Sequence, residues 1–256
     1  MKLNRREFIF GGASLLAFPT TFAHPEPKAN LELNDLVEFS KTCTIDNIKD
    51  GVIKFNPRPY QIEYFKNILE SNIFVCRKCR QCGTTTMNLI YAHWVAERHP
   101  EKNVVVVFSN NMIVEEAKHR FNSMFPTNSS KWYENTPNVE FVTYNSFISS
   151  CNNYIQNKDC CTSSLYTNAY LNSNTILVFE EYAFHDFIGV NLSDVKSIWV
   201  STQNRPTDVM WGDGKNKRNM TRMKITWRDI PGRDDAWKNR QVEIIGQDRF
   251  NQEFEV

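Results

Sequence analysis

The apolar positions of this chain fall into two alternating kinds of run. NIFVC (72–76), KNVVVVFSN (102–110), TILVFEE (175–181) and KSIWVST (196–202) are apolar on consecutive positions, and TRMKITW (221–227) is a weaker fifth. A strand of this kind buries both faces, as the inner strands of a parallel sheet do. Between these runs the apolar residues fall at helical spacing. After two prolines, YQIEYFKNILE predicts a helix from about Tyr60 to Glu70. TTTMNLIYAHWVAERH sets Leu89, Ala92, His93 and Ala96 on one helical face, and NMIVEEAKHRFNSMF predicts a helix stopped by Pro126. LELNDLVEFSKTCTI (31–45) is near helical spacing, and DDAWKNRQVEIIG and QDRFNQEF predict two terminal helices. NVEFVTYNSFI (138–148) alternates, which predicts an antiparallel pair or an edge strand. Residues 149–174 are rich in Ser, Asn and Cys and take no assignment. Apolar runs alternating with helices predict an α/β fold with a mainly parallel central sheet.

Composition narrows the picture. With 41% hydrophobic and 23% charged residues, the 256-residue chain can bury a sizeable core. A net charge of +1 creates no global field, so contact with nucleic acid would need a local patch. The basic stretch GDGKNKRNMTRMK (212–224) is one such patch, and it reads equally as a solvated loop. There is no apolar run long enough to span a membrane. The seven cysteines are odd in number and irregularly spaced, which suits a reducing compartment better than a disulfide scaffold. Residues 1–30 point the other way. Arg5-Arg6, Phe8, an apolar stretch with Gly11-Gly12 and then Thr21-Phe22-Ala23 resemble a twin-arginine export signal, followed by the linker-like HPEPKAN. Read as a chance meeting of two arginines and an apolar run, the same residues leave the protein in the cytoplasm. Read as a signal, they send it to the periplasm.

The chemistry concentrates in VCRKCRQCGTTT (75–86). Cys76, Cys79 and Cys82 start a ferredoxin-type spacing, but Thr86 stands where the fourth ligand would be, and zinc would need His93 or a distant cysteine. The alternative is a phosphate-binding loop, in which a strand, a glycine-rich turn and a helix N-terminus present amides to phosphate. Laid on KCRQCGTT (78–85), that frame puts Gly83 at the second glycine, Thr85 at the Mg²⁺-binding hydroxyl, Thr84 at the usual lysine and Lys78 at the first position. The apolar run ending in Glu180-Glu181 has a Walker B shape, with Glu180 for Mg²⁺ and Glu181 for the attacking water. Tyr60 and Gln61, in RPYQ, could stack on and hydrogen-bond adenine.

Taken in order, RPYQ, RQCGTTT, ILVFEEYAFHDF, IWVSTQN and the closing ITWRDIPGRDDAWKNRQVEIIGQDRFNQEFEV resemble the ATPase region of the large subunit of tailed-phage terminases, the DNA-packaging motors. The resemblance spans roughly residues 31–256, with little support between 149 and 172. It implies a P-loop NTPase-like three-layer fold in which residues 31–256 form one ATPase domain. It implies ATP and Mg²⁺ as cofactors, and Arg80 as an arginine finger acting in cis. Glu181 would be the catalytic glutamate, Ser201 and Thr202 the coupling motif, and Tyr60, Gln61, Gly83, Thr84 and Thr85 the ATP contacts. Thr85 and Glu180 would hold the metal. Some members of the family carry the lysine at the first loop position, which Lys78 occupies here. The partners implied are double-stranded DNA, a portal protein, the terminase small subunit and further copies of the chain in a ring. The family's nuclease domain has no counterpart in these residues, so DNA cleavage is not expected. Departures at Thr84, at Glu180 for the usual aspartate and at Gln203 for proline keep open a non-catalytic relic that binds nucleotide or DNA.

Overall fold

The computed structural model describes residues 27–47, 51–124, 138–156, 173–182, 195–202 and 220–255. Helix α1 (Pro27–Thr42) begins inside the stretch read as linker and leads to a two-stranded hairpin, β1 (Thr44–Asn47) and β2 (Gly51–Lys54). Then follow α2 (Pro59–Glu70), β3 (Ile73–Lys78), α3 (Thr84–Arg98), β4 (Asn103–Phe108) and α4 (Asn111–Ser123). The second half contributes β5 (Val139–Thr143), α5 (Tyr144–Gln156), β6 (Thr175–Glu180), β7 (Lys196–Ser201) and β8 (Met220–Ile225). A 3₁₀ turn (Trp227–Asp229), α6 (Asp235–Ile245) and α7 (Gln247–Phe254) close the described chain.

Strands β3 to β8 form one sheet in the order β5-β4-β6-β7-β3-β8, and every pairing in it is parallel. The unbroken apolar runs are explained by two cores. Along β4, Val104, Val106 and Phe108 face one core, while Val105 and Val107 face the other. Ile176 and Val178 of β6 likewise part from Leu177 and Phe179. The larger core packs under α1 to α4 and α7, and the smaller lies under α5 through Phe147 and Cys151. Helices therefore cover both faces, giving the three-layer α/β arrangement predicted from the sequence.

NVEFVTYNSFI departs from its alternating pattern. Only Val139–Thr143 is a strand, and it is an edge strand paired parallel to β4, not antiparallel. From Tyr144 the chain is helical. Thr143 Oγ1 accepts from the backbone N–H of Ser146 (3.2 Å), a hydroxyl cap that turns the strand directly into a helix. Phe147 and Cys151, four residues apart on one helical face, then enter the smaller core.

The order of the sheet positions the chemistry. Strand β7 lies between β3 and β6, so the C-terminal tips of these three neighbours point to one edge. In open parallel sheets that edge is where ligands bind. The opposite end of β7 is tied down by Lys196. Its ammonium donates to the carbonyls of Ile68, Leu69 and Ser71 at 2.5–3.3 Å, capping the C-terminus of α2.

The closing segment packs through aromatic rings. Trp227 lies 5.8 Å from Trp237 and 6.2 Å from Phe250, and Phe250 lies 5.2 Å from Phe254. Trp227 is buried and Met112 exposed. Replacing Trp227 by Ala is predicted to cost about 3–5 kcal/mol, whereas Met112→Ala should stay within about 0.5 kcal/mol. Urea unfolding of the two variants beside the parent chain checks the difference.

Candidate functional site

The loop of residues 79–83 leaves the tip of β3 and enters α3. Two of its residues have left-handed backbone: Gln81 at φ +59° and Gly83 at φ +83°. The left-handed backbone favours glycine there, and a Cβ on Gly83 would press on Gln61 Nε2 at 3.2 Å. The loop's carbonyls are held from outside. Arg233 Nη1 donates to Arg80 O (3.0 Å), Arg233 Nη2 to Gln81 O (3.2 Å) and the Tyr60 hydroxyl to Cys82 O (2.8 Å). In a trans peptide the N–H of the next residue points opposite the carbonyl. Anchoring three successive carbonyls therefore turns the N–H groups of Gln81, Cys82 and Gly83 the other way. The first-turn amides of α3 continue that row, and such a row is the geometry that binds phosphate.

The two carboxylates beyond β6 serve different neighbours. Glu180 is buried at the strand end. Its Oε1 accepts from Asn88 Nδ2 (2.8 Å) and its Oε2 from Thr85 Oγ1 (3.2 Å), while the Tyr64 hydroxyl donates to Asn88 Oδ1 (2.7 Å) behind it. Burial raises the Glu180 carboxyl above its ordinary value, against the opposing pull of Lys78 and Asn88. Glu181 turns away through a left-handed backbone at φ +57°, a strained conformation for this residue and one typical of functional turns. Its Oε1 meets Lys78 Nζ at 2.6 Å. Its Oε2 faces Ser201 Oγ (3.3 Å), Thr202 N (3.4 Å) and Thr202 Oγ1 (3.4 Å). Burial alone would raise Glu181, but the Lys78 ammonium outweighs it and holds the carboxyl below its ordinary value. Burial would likewise lower Lys78, and the acidic groups around it, Glu181 first, more than reverse that.

Most of the residues singled out in the sequence meet at this edge. Lys78, Glu181, Ser201 and Thr202 form one hydrogen-bonded set and Thr85 and Glu180 a second beside it, and Tyr60, Gln61 and Gly83 bracket the loop. Gln61 is buried, and its Oε1 caps α2 by accepting from Arg58 N (2.9 Å). The Thr84 hydroxyl is turned toward Cys82 Sγ (3.8 Å). Arg80 is not drawn to the carboxylates. Its guanidinium lies 3.6 Å from Glu253 on α7, and its N–H donates to Glu253 O (2.9 Å). Gln203 and most of 212–224 lie outside the described residues. Three contributors were missed. Asn88 stands one helical turn after Thr85, a spacing that could have flagged it. Arg233 and Glu253 lie more than 150 residues from the loop they hold, and nothing local signals them.

The fit to a divalent ion and to metal-cluster chemistry separates cleanly. Thr85 Oγ1 and Glu180 Oε2 are hard oxygen donors side by side, as Mg²⁺ requires. They border a cavity of about 200 Å³ whose wall also includes Phe108, Ser109, Ile113 and Arg120. Among the described residues no group of three or more His, Cys, Asp or Glu is arranged to hold a metal. His93 stacks on Phe121 at 3.5 Å, and burial lowers it to about 4, as expected of a neutral core ring. No described helix is long and apolar enough to cross a membrane.

No protein-family model matches the chain, and neither does any curated protein. Among solved structures, the fold is similar to the ATPase domain of the large terminase of Thermus phage P74-26. In a single-substitution mutant of that domain the identity is 11% and the TM-score 0.49, over 78% of this chain and 93% of the other. The unsubstituted domain gives 10% and 0.47 over the same shares. The Pyrococcus furiosus Hef helicase domain gives 13% and 0.41, over 66% of this chain and 38% of the other.

The Lys78–Glu181 pair predicts a pH dependence. Glu181's stabilisation is present above its ordinary 4.5 and lost as pH falls through its lower folded value. Lys78's is present below its ordinary 10.5 and lost as pH rises through its higher folded value. The pair should therefore stabilise the fold throughout the window between 4.5 and 10.5. Lys78→Met should cost about 1–3 kcal/mol near neutrality, because it leaves one oxygen of the half-buried Glu181 carboxylate without its ammonium. Adding Glu181→Gln should recover part of that and flatten the acid limb. Urea midpoints of the three proteins across pH measure both effects.

Proposed function

We propose that this chain is a terminase-like, Mg²⁺-dependent ATPase domain that drives double-stranded DNA translocation. The observation that carries the reading is the single carboxylate, Glu181, shared between Lys78 at the first loop position and Ser201-Thr202 at the tip of β7. A lysine at the usual slot would reach the phosphates from α3. Lys78 instead is the last residue of β3, and its ammonium meets Glu181 at the same edge of the sheet. This supports the displaced-lysine frame of the sequence and the ordered motifs that go with it.

Binding begins with phosphate oxygens on the amides of Gln81, Cys82 and Gly83 and on the first turn of α3. The phosphates compete with Glu181 for the Lys78 ammonium, and the exchange releases the carboxylate. Glu181 is held ionised by its surroundings, so once released it accepts a hydrogen bond from the attacking water and takes its proton. Thr85 and Glu180 would hold Mg²⁺, which neutralises charge on the phosphate oxygens when bound. Ser201 and Thr202 bond to the same carboxylate oxygen, so they register whether Glu181 faces Lys78 or water. Arg80 supplies positive charge to the transferring phosphoryl when it leaves Glu253. Tyr60 and Gln61 offer the adenine contact next to Gly83. In this reading the partners are duplex DNA, a portal, a small subunit and further copies of the chain in a ring.

Purified protein with Mg²⁺-ATP, alone and with duplex DNA, tests the reading. Glu181→Gln should lower turnover by roughly 10²-fold or more while leaving nucleotide affinity nearly unchanged. Lys78→Ala should weaken binding as well as turnover. Nucleotide binding without hydrolysis, with DNA and portal present, would establish the relic instead, and absence of nucleotide binding would overturn both.

A further inference from the structure

The phosphate loop carries a chemistry that nucleotide hydrolysis does not use. Residues 80 and 81 form a turn, so Cys79 and Cys82 stand at its two ends. The ends of such a turn lie within about 7 Å at Cα, the range a disulfide spans. Arg233 Nη1 lies 3.6 Å from Cys79 Sγ, and the Cys82 thiol donates to Thr84 Oγ1 at 3.8 Å. Both sulfurs are turned inward, but Arg80 and Gln81 between them are exposed, so the pair lies one loop thickness from solvent.

The surroundings set Cys82 apart. Burial pushes its thiol up. The neighbouring Cys79 thiol, the Lys78 ammonium and the N–H and hydroxyl of Thr84 together outweigh burial and lower it below the ordinary thiol value. Burial raises Cys43 to about 12, Cys151 to about 11 and Cys76 well above its ordinary value. Cys79 is raised too, by the neighbouring Cys82 and by burial. A lowered thiol beside a raised one, at the two ends of one turn, is the division a dithiol needs, with one sulfur to attack and one to resolve.

We propose that Cys79 and Cys82 form a redox-active dithiol within the phosphate loop, a modification site for peroxide-class oxidants whose closure to a disulfide disables phosphate binding. The Cys82 thiolate attacks one peroxide oxygen, the O–O bond breaks, and a sulfenic acid and hydroxide result. The Cys79 sulfur then attacks the Cys82 sulfur, the S–O bond breaks, and the departing hydroxide leaves as water with the Cys79 proton. Two thiols and one hydrogen peroxide become one disulfide and two waters. Closure pulls Cys79 away from Arg233 and Cys82 away from Thr84. The carbonyls of Arg80 and Gln81 then lose their fixed direction, and the amides behind them lose theirs. The effect on phosphate rests on the ATPase reading, whereas the dithiol chemistry does not.

The test uses the full chain, reduced, then exposed to hydrogen peroxide near neutral pH. Disulfides are mapped by mass spectrometry without reduction, and binding of a fluorescent ADP is measured before oxidation, after it and after dithiothreitol. The expected results are a Cys79–Cys82 link in folded protein and a loss of ADP affinity of roughly tenfold or more, with recovery on reduction. Cys79→Ser should stop at a dimedone-reactive Cys82. A link of Cys82 to Cys76, or a Cys79–Cys82 link forming only in denaturant, overturns the dithiol. A native link with unchanged ADP affinity overturns its effect on the loop. If the reduced protein binds no ADP, the ATPase reading fails, and the disulfide map still decides the dithiol.

Discussion

Lys78 and Glu181 meet at 2.6 Å although 103 residues separate them. Lys78 is the last residue of β3, Glu181 follows the last residue of β6, and β7 lies between the two strands. An ammonium and a carboxylate can close over an intervening strand only if that strand ends in small polar residues. Ser201 and Thr202 meet that requirement, and both bond to the same carboxylate. The pair therefore depends on the strand order, and the strand order depends on the two cores that bury β3, β6 and β7 on both faces.

The loop opposite these carboxylates is shaped as much from behind as from within. A row of inward amides needs its carbonyls satisfied on the outside, because an unpaired carbonyl near the interior is costly. Arg233 and Tyr60 meet that need from two remote segments. Arg233 is itself fixed over Trp237 at 4.7 Å and Phe254 at 5.7 Å. The closing helices are thus part of the loop's architecture, and the aromatic packing around Trp227 is connected to the direction in which the loop amides point.

What could be read from the sequence was local. Gly83, Thr85, Glu180 and Glu181 are legible because a strand tip, a left-handed glycine and a helix start are fixed by neighbouring residues. The sheet strands were legible because burial on both faces demands consecutive apolar positions. The β1–β2 hairpin was not, since four-residue strands with mostly exposed side chains carry no period. The start of α5 was misread because one hydroxyl, Thr143, decides between strand and helix. Arg233 and Glu253 were invisible for a different reason. A guanidinium meeting a carbonyl or a carboxylate across 150 residues leaves no mark on the local pattern.

The adjacency of Glu180 and Glu181 has a further meaning. Along a strand, neighbouring side chains point to opposite faces. Glu180, still within β6, projects to the side of α3, and Glu181, just past it, swings toward β3 and β7. The two acids thus acquire separate duties from the backbone, one still in the strand and the other in the left-handed turn that follows it, with no chemical difference between them. Position alone sets the assignment: one residue lost within β6 would put the second acid at the buried strand end beside Thr85 and Asn88 and push the first back to the core position of Phe179.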